Sequence, residues 1–140
     1  MAFIAGGTNP AGGSGGTAGV GTGVSYIGDH AYAMSGTFTL GDGGSVTCID
    51  FTTPSTSYID ANIQAGFVTR SNDDTRFEVK VNGEVVASSI YNNTYSDNPV
   101  NTSGFRLILG PSARVQILAV KSSGTADDTV VMWMRGRVYS

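Results

Sequence analysis

The chain has 140 residues, of which 40% are hydrophobic and 14% charged, with eleven acidic and eight basic side chains, one histidine and a net charge of −3. That length suits one domain able to bury about 70% of its unfolded surface, and the charged fraction lies well below the ~25% usual in soluble domains. The basic residues are scattered from Arg70 to Arg137 without a stripe, which argues against nucleic acid, and no apolar run nears the roughly 20 residues of a bilayer span, which argues against a membrane.

Residues 1–24 read as an N-terminal arm. Nine of the first 23 residues are glycine. Such a segment has no periodicity and cannot bury enough apolar surface to offset its ordering entropy. The arm is therefore expected to gain order only by lying on a partner. Fully extended it reaches up to ~75 Å, with Phe3 and Ile4 as an apolar plug at its far end. The same head lacks the basic and apolar regions of a secretion signal, so the chain is expected to be made in the cytoplasm. The glycosylation-type triplets at Asn92 and Asn101 accordingly carry little weight.

Residues 25–140 read as one all-β domain in which period 2 dominates. Strands are expected at Met34–Leu40, Val46–Thr52, Tyr58–Thr69, Arg76–Val81, Glu84–Tyr91, Gly104–Leu109, Ala113–Lys121 and Thr129–Tyr139. Asn82-Gly83 between two alternating runs signals a two-residue hairpin, because a type I′ turn needs positive φ at both central residues. The apolar spacing of four in Ile59–Ala65 leaves a short helical turn as the main ambiguity, and the following Phe67-Val68-Thr69 favours strand. About eight strands joined by turn-rich segments describe an antiparallel β-sandwich, jelly-roll-like, with Greek-key connections.

The expected core is Phe38, Leu40, Ile49, Phe51, Ile63, Phe67, Phe77, Val79, Val81, Leu107, Leu109, Val115 and Ile117, completed by Trp133 or by Met132 and Met134. Cys48 lies in Val46-Thr47-Cys48-Ile49 and reads as a buried strand thiol rather than a reactive one, for want of a basic neighbour. The last strand decides what faces outward. Val130, Met132, Met134 and Val138 form a cleanly apolar side that should point inward. Trp133, Arg135, Arg137 and Tyr139 would then point outward, and Trp, Tyr and Arg are the types enriched at interface hot spots. Against this stands a Trp133 that is simply core, with both arginines solvated or paired to loop carboxylates of the same chain.

Catalytic and metal chemistry find little support. His30 beside Asp29 could serve as a general base, but no motif pairs it with a nucleophile. One His and one Cys cannot make a zinc site without carboxylates. The acidic pairs Asp73-Asp74 and Asp127-Asp128 fall in expected turns without calcium-loop spacing and read as solvated. Gly41-Asp42-Gly43-Gly44 lacks the Gly-Lys-Ser/Thr of a phosphate loop. No catalytic residue, metal or cofactor is assigned. In the long segment Asn92–Ser103, Tyr91 and Tyr95 flanked by asparagines could stack on sugar rings, or simply belong to a polar connection.

The run Pro111–Gly124, followed by Thr129–Tyr139 with its Arg135-Gly136-Arg137-Val138-Tyr139 ending, resembles the closing strands of small jelly-roll virion proteins of tailed bacteriophages. The Gly/Ser/Thr/Asn-rich texture and the glycine-rich arm are similar too. The resemblance covers about the last 30 residues in pattern and has no diagnostic motif. It implies a capsid decoration or cement protein on the virion surface, a homo-oligomer with the trimer favoured, bound to the major capsid protein or another virion protein. Partner contacts would be made by Phe3, Ile4, Trp133, Arg135 and Arg137. The alternative is a receptor- or glycan-binding module of a phage tail or a cell-surface adhesin, with Tyr91 and Tyr95 at its site.

Overall fold

The computed structural model describes residues 23–41, 44–69, 75–91, 100–101, 104–121 and 128–140, without the side chains of 67–69, 91, 100 and 101. Ten strands form two antiparallel sheets: β1 (Ser25–Ile27), β2 (His30–Leu40), β3 (Ser45–Thr52), β4 (Tyr58–Thr69), β5 (Thr75–Val81), β6 (Glu84–Tyr91), β7 (Val100–Asn101), β8 (Phe105–Leu109), β9 (Arg114–Lys121) and β10 (Asp128–Tyr139). One sheet runs β1-β2-β10-β4, with β7 and β8 both pairing with β4. The other runs β3-β9-β5-β6. Apart from the β5–β6 hairpin, each long strand is followed by one in the opposite sheet, which is the winding of a jelly roll.

The alternation that identified the strands also places the core. In β9, Val115, Ile117 and Ala119 are fully buried while Arg114, Gln116 and Leu118 face out. In β10, Val130, Met132, Met134 and Val138 are buried. Phe38, Leu40, Ile49, Phe51, Ile63, Phe77, Val79 and Leu109 join them, whereas Val81 and Leu107 are only half-buried at the margin. Small residues fill the rest: Ala31 and Ala33 of β2 and Ala61 and Ala65 of β4 are buried as well. Cys48 is fully buried. Phe67 has its backbone in β4 and its side chain outside the described residues.

The structure changes several details of the sequence reading. The count is ten strands among the described residues rather than eight, because β1 and β7 are too short to show periodicity. The helical turn considered at Ile59–Ala65 is strand throughout, paired to β10 and β8. Tyr26 and Val24 belong to the core, so the packed body begins within the stretch assigned to the arm; residues 1–22 lie outside the described ones.

β2 begins at His30, four residues earlier than expected. Its pairing with β10 shifts between Val131 and Trp133, where β2 carries one extra residue. Gly36, at φ 70°, supplies the left-handed residue of this bulge. The shift strands the Met132 amide, which donates instead to Ser35 Oγ at 2.9 Å, and that hydroxyl donates to the Gly36 carbonyl at 2.8 Å. The hairpin is as read from Asn82-Gly83: φ is 52° and 87° at the two residues. Asn82 also exchanges hydrogen bonds with the Arg114 backbone, tying the turn to β9.

Asp128 corrects a further expectation. It is not a solvated turn carboxylate but the first residue of β10, wholly buried. Its Oδ2 accepts a hydrogen bond from Thr75 Oγ1 at 2.7 Å, and its Oδ1 lies 3.7 Å from Lys121 Nζ, itself buried. Thr75 and Lys121 belong to one sheet and Asp128 to the other, so this polar cluster bridges the two layers.

Two buried acids set an alkaline limit. Burial pushes the Cys48 thiol and the Tyr26 phenol each up to about 12, from 9.0 and 10.0. Both groups hold their protons more tightly folded than unfolded. Stability is therefore untouched by them at neutral pH and falls as pH rises from about 9 towards 12. A thiol-specific disulfide reagent at pH 8 is expected to leave the native chain unlabelled and to react fully after denaturation. Rapid labelling of the native chain would show that Cys48 is not sealed in the core.

Candidate protein-binding face

The outer face of the six-stranded sheet is built by the alternation that fills the core. The β10 side chains that do not point inward are Thr129, Val131, Trp133, Arg135, Arg137 and Tyr139. Their cross-strand neighbours on β2 are Met34 beside Trp133, Tyr32 beside Arg135 and His30 beside Arg137. On β4 the matching residues are Gln64, Asn62, Asp60 and Tyr58, and β8 adds Arg106 and Ile108 at the edge. Trp133 is thus an outward, half-buried residue and not core; Met132 and Met134 occupy the interior.

This face gathers most of the exposed apolar surface. Ile27, Tyr32, Met34, Tyr58, Ile108 and Tyr139 all lie on it, with Met34 71% and Ile108 65% exposed. The remaining large exposed apolar side chains of the described residues, Val85, Val86 and Ile90, are on β6. Met34 adjoins Trp133 through the register and Tyr58 stacks on Tyr139, whereas Ile27 and Ile108 stand at opposite edges of the sheet.

Charge on the face is largely satisfied from within. Arg106 forks onto Asp60 with Nε and Nη2 at 3.3 and 3.0 Å, and these hydrogen bonds hold the Asp60 carboxyl below its usual range. Arg137 Nε donates to Asp29 Oδ2 at 3.1 Å, and its guanidinium lies 5.7 Å from the Tyr139 ring centroid. Tyr139 stacks on Tyr58 at 5.1 Å between centroids and 14° between planes. Arg135 is different. It is exposed, flanked by Tyr32 and Asn62, and has no carboxylate partner among the described residues. An open groove of about 410 Å³ runs over this region, bounded by His30, Asn62, Arg106, Arg135 and Tyr139.

The expected site residues therefore divide. Trp133 and Arg135 lie on one outward face, while Arg137 is engaged by Asp29 and Tyr139. Phe3, Ile4 and Tyr95 lie outside the described residues, and Tyr91 is described only as the last backbone position of β6. Asp60, Asn62, Tyr58, Tyr32, Met34 and Arg106 were not singled out from sequence. The signal was there in the alternation of Tyr58-Ile59-Asp60-Ala61-Asn62, which puts the polar members on one side once Ile59 and Ala61 are taken as core.

His30 Nδ1 lies 2.8 Å from Asp29 Oδ1 on an exposed surface. The groove that His30 lines has no Ser, Thr, Cys or Lys in its walls. Among the described residues no group of three His, Cys, Asp or Glu side chains could hold a metal ion. No helix among them is long and apolar enough to cross a membrane. The pair Asp73-Asp74 and residue Asp127 lie outside the described residues.

No family model and no curated protein sequence matches the chain. The solved structures similar to the chain include these three. The CBM36-1 domain of a multidomain xylanase from the hindgut metagenome of Trinervitermes trinervoides is 15% identical, with a TM-score of 0.45, over 70% of this chain and 74% of that one. A family 35 carbohydrate-binding module from Clostridium thermocellum is 12% identical, with a TM-score of 0.47, over 74% and 90%. A structure of infectious bursal disease virus, Gx strain, is 11% identical, with a TM-score of 0.43, over 81% of this chain and 33% of that one.

Proposed function

We propose that the chain is a non-catalytic structural protein of a virus particle, of the capsid decoration or cement kind, and that it grips its protein partner with the outer face of the six-stranded sheet. The observation that carries this reading is that Trp133 and Arg135 stand two positions apart on the outward side of β10, beside Met34 and Tyr32, with no carboxylate partner for Arg135 among the described residues. Apolar anchors with an Arg that lacks an internal partner are what a protein interface uses, and an acidic side chain of the partner is the natural mate for Arg135.

The test is co-sedimentation of the tagged full chain with particles made in the cell that produces it. Trp133→Ala combined with Arg135→Glu is expected to weaken particle binding roughly thirtyfold or more, the effect of losing one hot spot of about 2 kcal/mol. Unchanged co-sedimentation of a folded double variant would remove the sheet face from the reading, and absence of the wild-type chain from particles would remove the particle.

The groove supports a second reading. Tyr139, Asn62, Arg106 and Arg135 all line it, so one cleft combines an aromatic edge with hydrogen-bonding groups, which suits a sugar. A glycan-binding module would lose polysaccharide binding on Tyr139→Ala or Asn62→Ala and would ignore capsid protein.

A further inference from the structure

The four-stranded sheet ends on β6, which pairs with β5 on one side and with no described strand on the other. The edges of the six-stranded sheet are short, with three residues in β1, two in β7 and five in β8. The other edge of the four-stranded sheet, β3, exposes no large apolar side chain. β6 is eight residues long and leaves Val85, Val86 and Ile90 between 49% and 60% exposed. Its one charge is Glu84 at the start, and it contains no Lys or Pro. Edge strands are ordinarily blunted by such residues, because their unpaired N–H and C=O groups template another strand.

The local geometry says what that strand is. Pairing with β5 shifts between Val79 and Lys80, where β6 carries one extra residue, Val86, and the one-to-one pairing runs from Ala87 to Tyr91. Exposure nevertheless alternates without a break from Val86 to Ile90: Val86, Ser88 and Ile90 are exposed, and Ala87 and Ser89 turn towards the core. The pattern is symmetric about Ser88: apolar, small, polar, small, apolar. We propose that β6 pairs antiparallel with β6 of a second copy of this chain, about a two-fold axis at Ser88, joining two four-stranded sheets into one of eight strands.

In that register Val86 stands opposite Ile90 of the partner subunit, twice over, and Ala87 opposite the partner's Ser89. Each directly opposed pair then points to the same side of the sheet, as antiparallel pairing demands. The two Glu84 residues lie at opposite ends, so no like charges meet. The contact is isologous and closes at two copies, unlike the trimer implied by the phage resemblance. It is independent of the partner-binding face, which lies on the other sheet.

Sedimentation equilibrium of the full chain tests the pairing. The wild type is expected to be a dimer. Val86→Lys, which sets an ammonium against the partner's Ile90 on each side, is expected to be a monomer with unchanged circular dichroism. Ser88→Cys brings two thiols together at the axis and is expected to give a disulfide-linked dimer on mild oxidation, with Cys48 too buried to interfere. A monomeric wild type, an oligomer that survives Val86→Lys, or the absence of a Ser88→Cys cross-link would overturn the proposal. So would a monomer whose β6 amides are protected from hydrogen exchange until residues 1–22 are removed, since the arm would then occupy the edge.

Discussion

Replacing Asp128 with alanine is expected to cost about 3–5 kcal/mol of folding stability, the usual penalty for leaving one member of a buried ion pair behind. Lys121 Nζ lies 3.7 Å from Asp128 with both side chains fully out of water, and the Thr75 hydroxyl is spent on the same carboxylate. The single variant keeps a buried ammonium and strands a buried hydroxyl donor. Lys121→Met with Asp128→Leu removes both charges and should recover most of the loss, because apolar replacements of similar volume often match or exceed a buried pair. Urea denaturation of the two variants and the wild type checks this through the midpoints at constant slope. Equal midpoints for Asp128→Ala and the wild type would mean that the pair is hydrated rather than sealed between the sheets.

The second large effect is expected at Gly136. A Cβ there would stand 2.6 Å from the Asp60 carbonyl oxygen, 2.6 Å from Ile59 Cγ2 and 3.1 Å from Ala61 Cα. Two of those neighbours are backbone, so no rotamer change relieves the overlap and β10 must move away from β4. Gly136→Ala is expected to cost about 1–3 kcal/mol, the range for overpacking a filled interior. The shift should also disturb the Asp60–Arg106 fork, since Asp60 is the residue pushed. Thermal melts measure the first effect. An Asp60 carboxyl that titrates closer to its ordinary range, followed by NMR, measures the second. A variant as stable as the wild type would show that the two strands have slack.

The sequence reading succeeded where a local rule is strong and failed where a contact joins distant positions. Unbroken alternation in β5 and the Asn82-Gly83 turn demand their structures whatever the surroundings, and both are as expected; β4 was the weaker case, because Ile59–Ala65 also admitted a helical turn and Phe67-Val68-Thr69 tipped it to the strand that it is. The facing of β10 followed from the same rule, because only the Val130–Val138 side is apolar throughout. β1 escaped because three residues carry no measurable period. Asp128 was misplaced because its partners, Lys121 and Thr75, come from two other strands, and nothing near Asp127-Asp128 in the chain signals them. The Ser35–Gly36 bulge was equally hidden. A Ser-Gly pair inside a strand hints at irregularity, but its purpose is visible only once Met132 is seen to be 97 residues away in sequence and hydrogen-bonded to it. The binding face was legible in part: Trp133 and Arg135 could be assigned to one side, whereas their neighbours on β2, β4 and β8 required the register.

The place of β10 at the centre of its sheet, between β2 and β4, governs how the molecule can be assembled. Asp29 and Arg137, joined across this region, are 108 residues apart. Of the long strands, only β5 and β6 meet their neighbour through a short local turn, so the hairpin is the natural first structure to form. β2 and β4 do not pair with each other and must wait, apolar sides exposed, for β10, which pairs with both. During synthesis the nascent chain therefore remains a sticky, unfinished object until β10 has left the ribosome, and holding factors would be needed longest over β2 and β4.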